Sequence, residues 1–318
     1  MAVAAGIALG GFLVCYVSSP SGVAAPDAKL QSIFPPGTGY CRWSPVNLVP
    51  ERDQAKLGAI ISPLMDQIMT RQKANRLKGL FTATYREMDR DPEFVAVGSV
   101  MNAAYWDTFR LPFGQRHLYA YIPAHPANQR LPAIVFLHGS AGGFKVYMWV
   151  WKRFADAHGV AVVAPTFGAG NWYEPGGLEA VEAAYDYCKG LPAIDSHQIY
   201  LAGLSNGAIG VSREVSAHPE RYHGIIYISG VMEPDVMNGP GFVNGCANKP
   251  ILVIHGEQDE RIPARYIRET LSSLPGSVHI ETHFIADEDH FLILSAPQKL
   301  DQTVWQWMRG ITASETSR

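Results

Sequence analysis

The stretch Ile199-Tyr200-Leu201-Ala202-Gly203-Leu204-Ser205-Asn206-Gly207-Ala208 decides the fold. Its first four residues read as a short buried strand, and residues 206–217 read as a helix. Between them stands Gly-x-Ser-x-Gly, with Ser205 at the tip of the turn. A chain that passes from strand to helix within one residue has no room for side chains at 203 and 207, which explains the two glycines. The same turn exposes the serine hydroxyl and points a helix N-terminus at any negative charge formed beside it. A Ser-Gly turn that merely caps a helix is the bland alternative. The strand on one side and the helix on the other favour a nucleophile.

Working outward, almost wholly apolar runs recur at 133–137, 160–164, 199–202, 225–228 and 251–254, each separated by enough chain for a helix. Strands that are apolar on both faces, joined by helical crossovers, predict a mainly parallel sheet flanked by helices. Residues 81–86 and 118–122 alternate like half-buried strands and are expected to be strands too. In such sheets chemistry gathers outside the carboxyl ends of the strands. That position tests every other motif.

Three motifs pass. His138-Gly139-Ser140-Ala141-Gly142-Gly143 follows the run ending at Leu137. Its backbone N–H groups suit an oxyanion hole made by Ser140 together with Asn206, the residue after the nucleophile. His138 is expected to order this turn, and the motif lacks the Gly-Lys-Ser/Thr ending of a phosphate loop. His255-Gly256-Glu257-Gln258-Asp259-Glu260 follows the run ending at Ile254 and offers Asp259 as the carboxylate that orients a histidine, with Glu257 and Glu260 as neighbours. His290 lies in the acidic loop Asp287-Glu288-Asp289, after an expected last strand at 278–285. His279 and His283 fall inside that strand, while His158, His218 and His223 fall near helix ends or strand starts. His290 is therefore the expected base, and the order is Ser, Asp, His.

Composition narrows the classes. The 318 residues are 47% hydrophobic and 17% charged, which describes a globular chain able to bury a core. A net charge of −3 argues against a nucleic-acid partner. No Cys/His cluster suggests zinc, and no cofactor is expected. Of the four cysteines, Cys188 falls on the apolar face of a predicted helix with Leu178, Val181 and Tyr185. Cys15 lies in the N-terminal apolar run, and Cys41 and Cys246 are free to pair only in an oxidising compartment.

Residues 2–17 carry no charge, and small residues follow at 22–25. Residues 1–25 are read as an export signal or an N-terminal membrane anchor, although no basic residue precedes the run. Residues 26–78 form an extension. Its start, 27–49, reads as irregular, and Leu57, Ile60, Ile61, Leu64, Met65 and Ile68 then recur at helical spacing. Ser62-Pro63 resembles a cap with proline in the first helical position, which splits this segment into two helices. Arg71, Lys73, Arg76 and Lys78 are expected on its solvated side. Residues 79–312 form the catalytic domain and 313–318 a polar tail.

From about residue 79 to 312 the chain resembles the α/β-hydrolase superfamily, and within it the dienelactone-hydrolase and polyhydroxybutyrate-depolymerase/feruloyl-esterase type. The prolyl-oligopeptidase catalytic domain is close by. The resemblance rests on HGSAGG, IYLAGLSNGA, ILVIHGEQDERIP and DEDHF. It implies a serine hydrolase with Ser205 as nucleophile, His290 as base and Asp259 as its partner, cleaving carboxylic esters without a metal. A peptidase of the oligopeptidase type and a non-catalytic ligand-binding relative are the alternatives. The substrate is then a small-molecule or polymer ester. Trp172 and Tyr173, in the loop 167–177, are candidates to stack on it, or else to pack the loop onto the domain. No large cap is expected, because neither this loop nor 231–249 is long enough. The sequence leaves the oligomeric state open.

Overall fold

A computed structural model describes residues 29–34, 49–97, 105, 109, 117–140 and 145–316. The apolar run at 2–17, the small residues at 22–25, Cys15 and Cys41 lie outside the described residues. In chain order the elements are β1 (Leu30–Ile33), α1 (Glu51–Met65), α2 (Arg71–Met88), α3 (Pro92–Val97), β2 (Leu118–Tyr121), β3 (Leu131–Leu137), α4 (Lys145–His158) and β4 (Ala161–Pro165). There follow α5 (Gly177–Gly190), β5 (Ile194–Leu204), α6 (Gly207–Ala217), β6 (Gly224–Ile228), α7 (Pro234–Met237), α8 (Pro240–Cys246), β7 (Ile251–Gly256), α9 (Ala264–Ser272), β8 (Ile280–Ile285), α10 (Leu292–Ser295) and α11 (Pro297–Thr316).

The strands form one sheet in the order β1-β2-β4-β3-β5-β6-β7-β8. β1 and β2 are antiparallel; β4, β3, β5, β6, β7 and β8 run parallel. Each apolar run named above lies in one of the parallel strands. Alternate residues of those strands feed two separate cores. Ile134, Phe136, Ala202, Ile226 and Leu252 face α2, α4 and α11, whereas Ala133, Val135, Leu201, Ile225 and Val253 face α5, α6 and α9. Helices on both sides remove every face of these strands from water, hence the continuous hydrophobicity.

Four expectations need correction. Residues 81–86 are not a strand but the second half of α2, whose buried side is Ala74, Leu77, Phe81, Tyr85 and Met88. The expected boundary at residue 79 therefore cuts a helix. Its alternation misleads because Thr82 and Thr84 look β-forming, yet their hydroxyls donate to the carbonyls of Lys78 and Leu80 at 2.7 and 2.9 Å, four residues back in the helix. Second, residues 30–33 are a strand at the sheet edge, paired with β2, within a stretch read as irregular. Third, Ser62-Pro63 does not split the segment: Pro63 sits in the last turn of α1. Proline cannot donate to the carbonyl of Ala59, and the Ser62 hydroxyl does so instead at 2.8 Å. Fourth, α11 runs on to Thr316 through most of the expected tail.

The N-terminal extension is helical as expected, but α1 is turned the other way. Ala55 and Ala59 face inward, whereas Leu57, Ile60, Ile61 and Leu64 are exposed. The inward side of α1 lies over the carboxyl ends of β5 and β7, so the extension roofs the very face where chemistry was sought.

Candidate active site

The elbow is built by close approach. Ser205 has φ of 52°, a left-handed conformation that a side-chain-bearing residue adopts only when its surroundings hold it there. They do: its N–H donates to Ile228 O at 3.0 Å, and its carbonyl accepts from Ala208 N–H and Val231 N–H at 3.0 Å each. A Cβ on Gly207 would stand 2.2 Å from Leu137 O, and one on Gly203 would stand 2.6 Å from Gly207 itself. Glycine at both positions is thus a steric requirement of the turn.

Ser205 Oγ lies 3.0 Å from His290 Nε2, and His290 Nδ1 lies 2.8 Å from Asp259 Oδ2. The structure brings these three residues together from the ends of β5, β7 and β8. The other carboxylate oxygen of Asp259 accepts N–H bonds from Arg261 and Ile262 at 2.8 and 2.9 Å. Burial alone would raise the Asp259 pKa. The hydrogen bond from His290 and its electrostatic pull, with the Ile262 N–H, outweigh it and hold the carboxyl below its usual range. Asp259 is therefore ionised, an acceptor that keeps the histidine proton on Nδ1 and leaves Nε2 facing the serine.

The competing acids and histidines are occupied elsewhere. Glu257 pairs with Arg268, Glu260 with Lys73 at 2.5 Å, His283 with Glu281 at 2.7 Å, and His158 with Asp301 at 2.8 Å. The His290 loop is fixed by its neighbours. Gly256 packs so tightly on it that a Cβ there would come within 2.3 Å of Glu288 O. Gln258 N–H donates to that carbonyl at 3.0 Å, and the Ser295 hydroxyl donates to the Glu288 carboxylate at 2.5 Å.

Ser140 and Asn206 line the same cavity as Ser205 and His290, and among the described residues neither backbone N–H meets a protein acceptor. His138 holds this turn in place. Nδ1–H donates to Gly139 O at 2.7 Å, and Nε2 accepts from Phe167 N–H at 3.0 Å. Burial pushes its pKa down to about 4, which leaves the ring neutral and fixed in one tautomer.

Trp172 does not sit where a substrate would meet it. The side chain is fully buried, its indole N–H donates to His138 O at 2.8 Å, and its ring packs against Phe167. Tyr173 is half-exposed, and neither residue lines the cavity with Ser205. Of the two readings of the loop, packing describes Trp172. The two described cysteines take no part: Cys188 and Cys246 are free and buried, and burial raises both thiol pKa values, that of Cys246 to about 12. Among the described residues no group of three His, Cys, Asp or Glu side chains could hold a metal ion, and no helix is long and apolar enough to cross a membrane.

Sequence reasoning missed the roof. The cavity, about 470 Å³, is closed by Ala55, Gly58, Ala59 and Ser62 of α1 and by Leu77 and Phe81 of α2. It missed the ties as well. Asp66 pairs with Arg261, Lys73 with Glu260, and Arg76 with both Asp289 and, at 3.7 Å, Glu288. Lys73 and Arg76 were expected on a solvated side. Their spacing of three residues on one helix face, opposite acidic loops, is the signal that could have found them.

Residues 179–304 match the family described as phospholipase/carboxylesterase. Poly(3-hydroxyalkanoate) depolymerase C of Paucimonas lemoignei is 27% identical over 133 residues, 37% of this chain and 32% of that protein. The chain thus spans about a third of the length of the curated relative it matches. Among solved structures, Est1E from Butyrivibrio proteoclasticus is similar at a TM-score of 0.50 and 20% identity, over 63% of this chain and 96% of Est1E. Esterase B from Lactobacillus rhamnosis is similar at a TM-score of 0.53 and 13% identity, over 64% of this chain and 84% of the esterase. With its mostly parallel eight-stranded sheet and a Gly-x-Ser-x-Gly elbow between β5 and α6, the chain has the α/β-hydrolase fold.

Proposed function

We propose that this protein is a serine hydrolase that cleaves carboxylic esters through an acyl-enzyme. One observation carries the reading: the continuous relay from Ser205 Oγ to His290 Nε2, and from His290 Nδ1 to Asp259 Oδ2, at 3.0 and 2.8 Å. A serine hydroxyl is a weak nucleophile until a base takes its proton during attack. His290 is that base, and Asp259 stabilises the imidazolium that forms. The tetrahedral oxyanion is received by Ser140 N–H and Asn206 N–H, where loss of one such donor costs about 2.7–4 kcal/mol of transition-state stabilisation. His290 then protonates the departing alcohol, and a water attacks the acyl-enzyme by the same route. None of these steps calls on a cofactor.

The match to a phospholipase/carboxylesterase family and to a polyhydroxyalkanoate depolymerase supports an ester, small or polymeric, as substrate. The uncharged run at 2–17 supports export or attachment through the N-terminus. A panel of acyl p-nitrophenyl esters beside prolyl and other peptide amides tests the reading. Turnover of esters that disappears in Ser205→Ala, with melting temperature nearly unchanged, is the expected result. Turnover of amides alone would make this a peptidase. Silence on both, with a ligand detected by thermal shift, would make it a binding protein.

A further inference from the structure

α1 and α2 lie outside the 179–304 segment that matches the family model, and their placement points to a role of their own. α1 presents two unlike faces. Ala55, Gly58, Ala59 and Ser62, spaced three and four apart, look into the cavity that holds Ser205 and His290. Leu57, Ile60, Ile61 and Leu64 look away from it into solvent. A helix that had only to cover the sheet would turn its branched residues inward and fill the gap, since interiors close-pack wherever side chains allow. Here the small residues face in, and a cavity of about 470 Å³ stays open beside the serine.

Gly58 is the position with most latitude. It is exposed while lining the cavity, so it stands at the mouth, and a Cβ there would meet nothing within 4 Å. Ile293 and Leu294 add apolar lining to the same cavity. Among the described lining residues the carboxylate and guanidinium side chains are Asp66 and Arg261, and they pair with each other. Among those residues no lone carboxylate or guanidinium is left to recognise an ammonium group or a carboxylate on the substrate.

We infer that α1 is the wall that selects the acyl group, that it accepts uncharged apolar acyl chains, and that Gly58 sets the length admitted. This rests on the ester-hydrolase reading above. A larger side chain at 58 occupies space a long chain would use and leaves the serine, the histidine and the oxyanion donors untouched. A single methylene in an apolar pocket is worth about 10–200-fold in discrimination.

The test uses the full-length protein and p-nitrophenyl esters from acetate to decanoate. The quantity read is the ratio of kcat/KM for decanoate to that for acetate. Gly58→Leu should lower this ratio at least about tenfold, the low end of the range for one methylene. Gly58→Ala should lower it by less, with no fall in melting temperature, because alanine favours helix over glycine. The alanine variant keeps the test alive if the leucine variant folds poorly. An unchanged ratio in folded variants, with the esters still cleaved, would overturn the role of Gly58 and leave the hydrolase reading standing. A wild-type protein that cleaves no ester of any length would overturn both.

Discussion

Ser205, Asp259 and His290 hang from the ends of three parallel strands, whereas the helices that roof them are attached by side chains. The first group is held by backbone. β5, β6, β7 and β8 pair in continuous register up to Leu204, Ile228 and Gly256, and glycines at 203, 207 and 256 let the turns touch main chain to main chain. The roof meets the same loops through the pairs Asp66–Arg261, Lys73–Glu260 and Arg76–Asp289, all partly exposed. Exposed ion pairs contribute about 0–1 kcal/mol each. On the reading proposed above, chemistry rests on a frame that tolerates little change, and substrate selection on a layer that tolerates more. The two regions should fail under different insults.

The largest effect belongs to the frame. On the proposed mechanism, Asp259→Asn removes the charge that stabilises the imidazolium and lets the wrong histidine tautomer form. kcat should fall about 10⁴-fold, as for the equivalent change in a serine protease, while KM and melting temperature change little. A loss below about tenfold would place the orienting carboxylate elsewhere, because a group made to act in the transition state cannot be so cheaply removed.

Acid should act next, again on the frame. His117 bonds to Ser32 and Thr166, and burial pushes its pKa down to about 3, as it pushes His138 to about 4. The ordinary value is 6.5. Between pH 6.5 and 4 the unfolded chain therefore binds protons that the folded chain refuses, so stability falls as pH falls. Two such groups cost on the order of a few kcal/mol across that window. The depressed pKa of Asp259 works in the same direction at lower pH, since its stabilisation is lost as the carboxylate protonates. Urea titrations at pH 7, 5.5 and 4.5 should show the decline, and constant stability over that interval would contradict the burial of both rings as neutral species.

The smallest effect belongs to the roof. Arg76→Ala removes the tie to Glu288 and Asp289, the two residues that precede His290 in its loop. Activity should drop only a few-fold, the scale of about 1 kcal/mol. The gap from wild type should close as salt is raised from 0.05 to about 0.5 M, because screening weakens the native pair as well. A loss of Asp259→Asn size, or one indifferent to salt, would show that the roof belongs to the frame.

How much was legible in the sequence follows the same division. The strands at 133–137, 199–202, 225–228 and 251–254 stand out because burial on both faces forces uninterrupted apolar residues. The elbow stands out because sterics force Gly203 and Gly207. Each of these signals is local. The direction in which α1 faces is not local: its bulky stripe satisfies helical periodicity whether it points to core or solvent, and only the cavity beneath explains why Ala55 and Ala59 turn inward. Thr82 and Thr84 read as β-forming until their hydroxyls are seen to bond within the helix. Trp172 reads equally as a ligand platform or as a packing residue because its partners, His138 O and Phe167, are brought to it by the fold and not by the sequence around it.

The most direct test of the account is covalent. A phosphonylating reagent that mimics the tetrahedral state should react with the native protein at one site, and peptide mass mapping should place the adduct on Ser205. Ser205→Ala and acid-unfolded protein should take up none, since the reactivity comes from the folded relay with His290 and Asp259 and not from the serine alone. Ester turnover with no adduct at Ser205, or an adduct on another residue that abolishes activity, would contradict it.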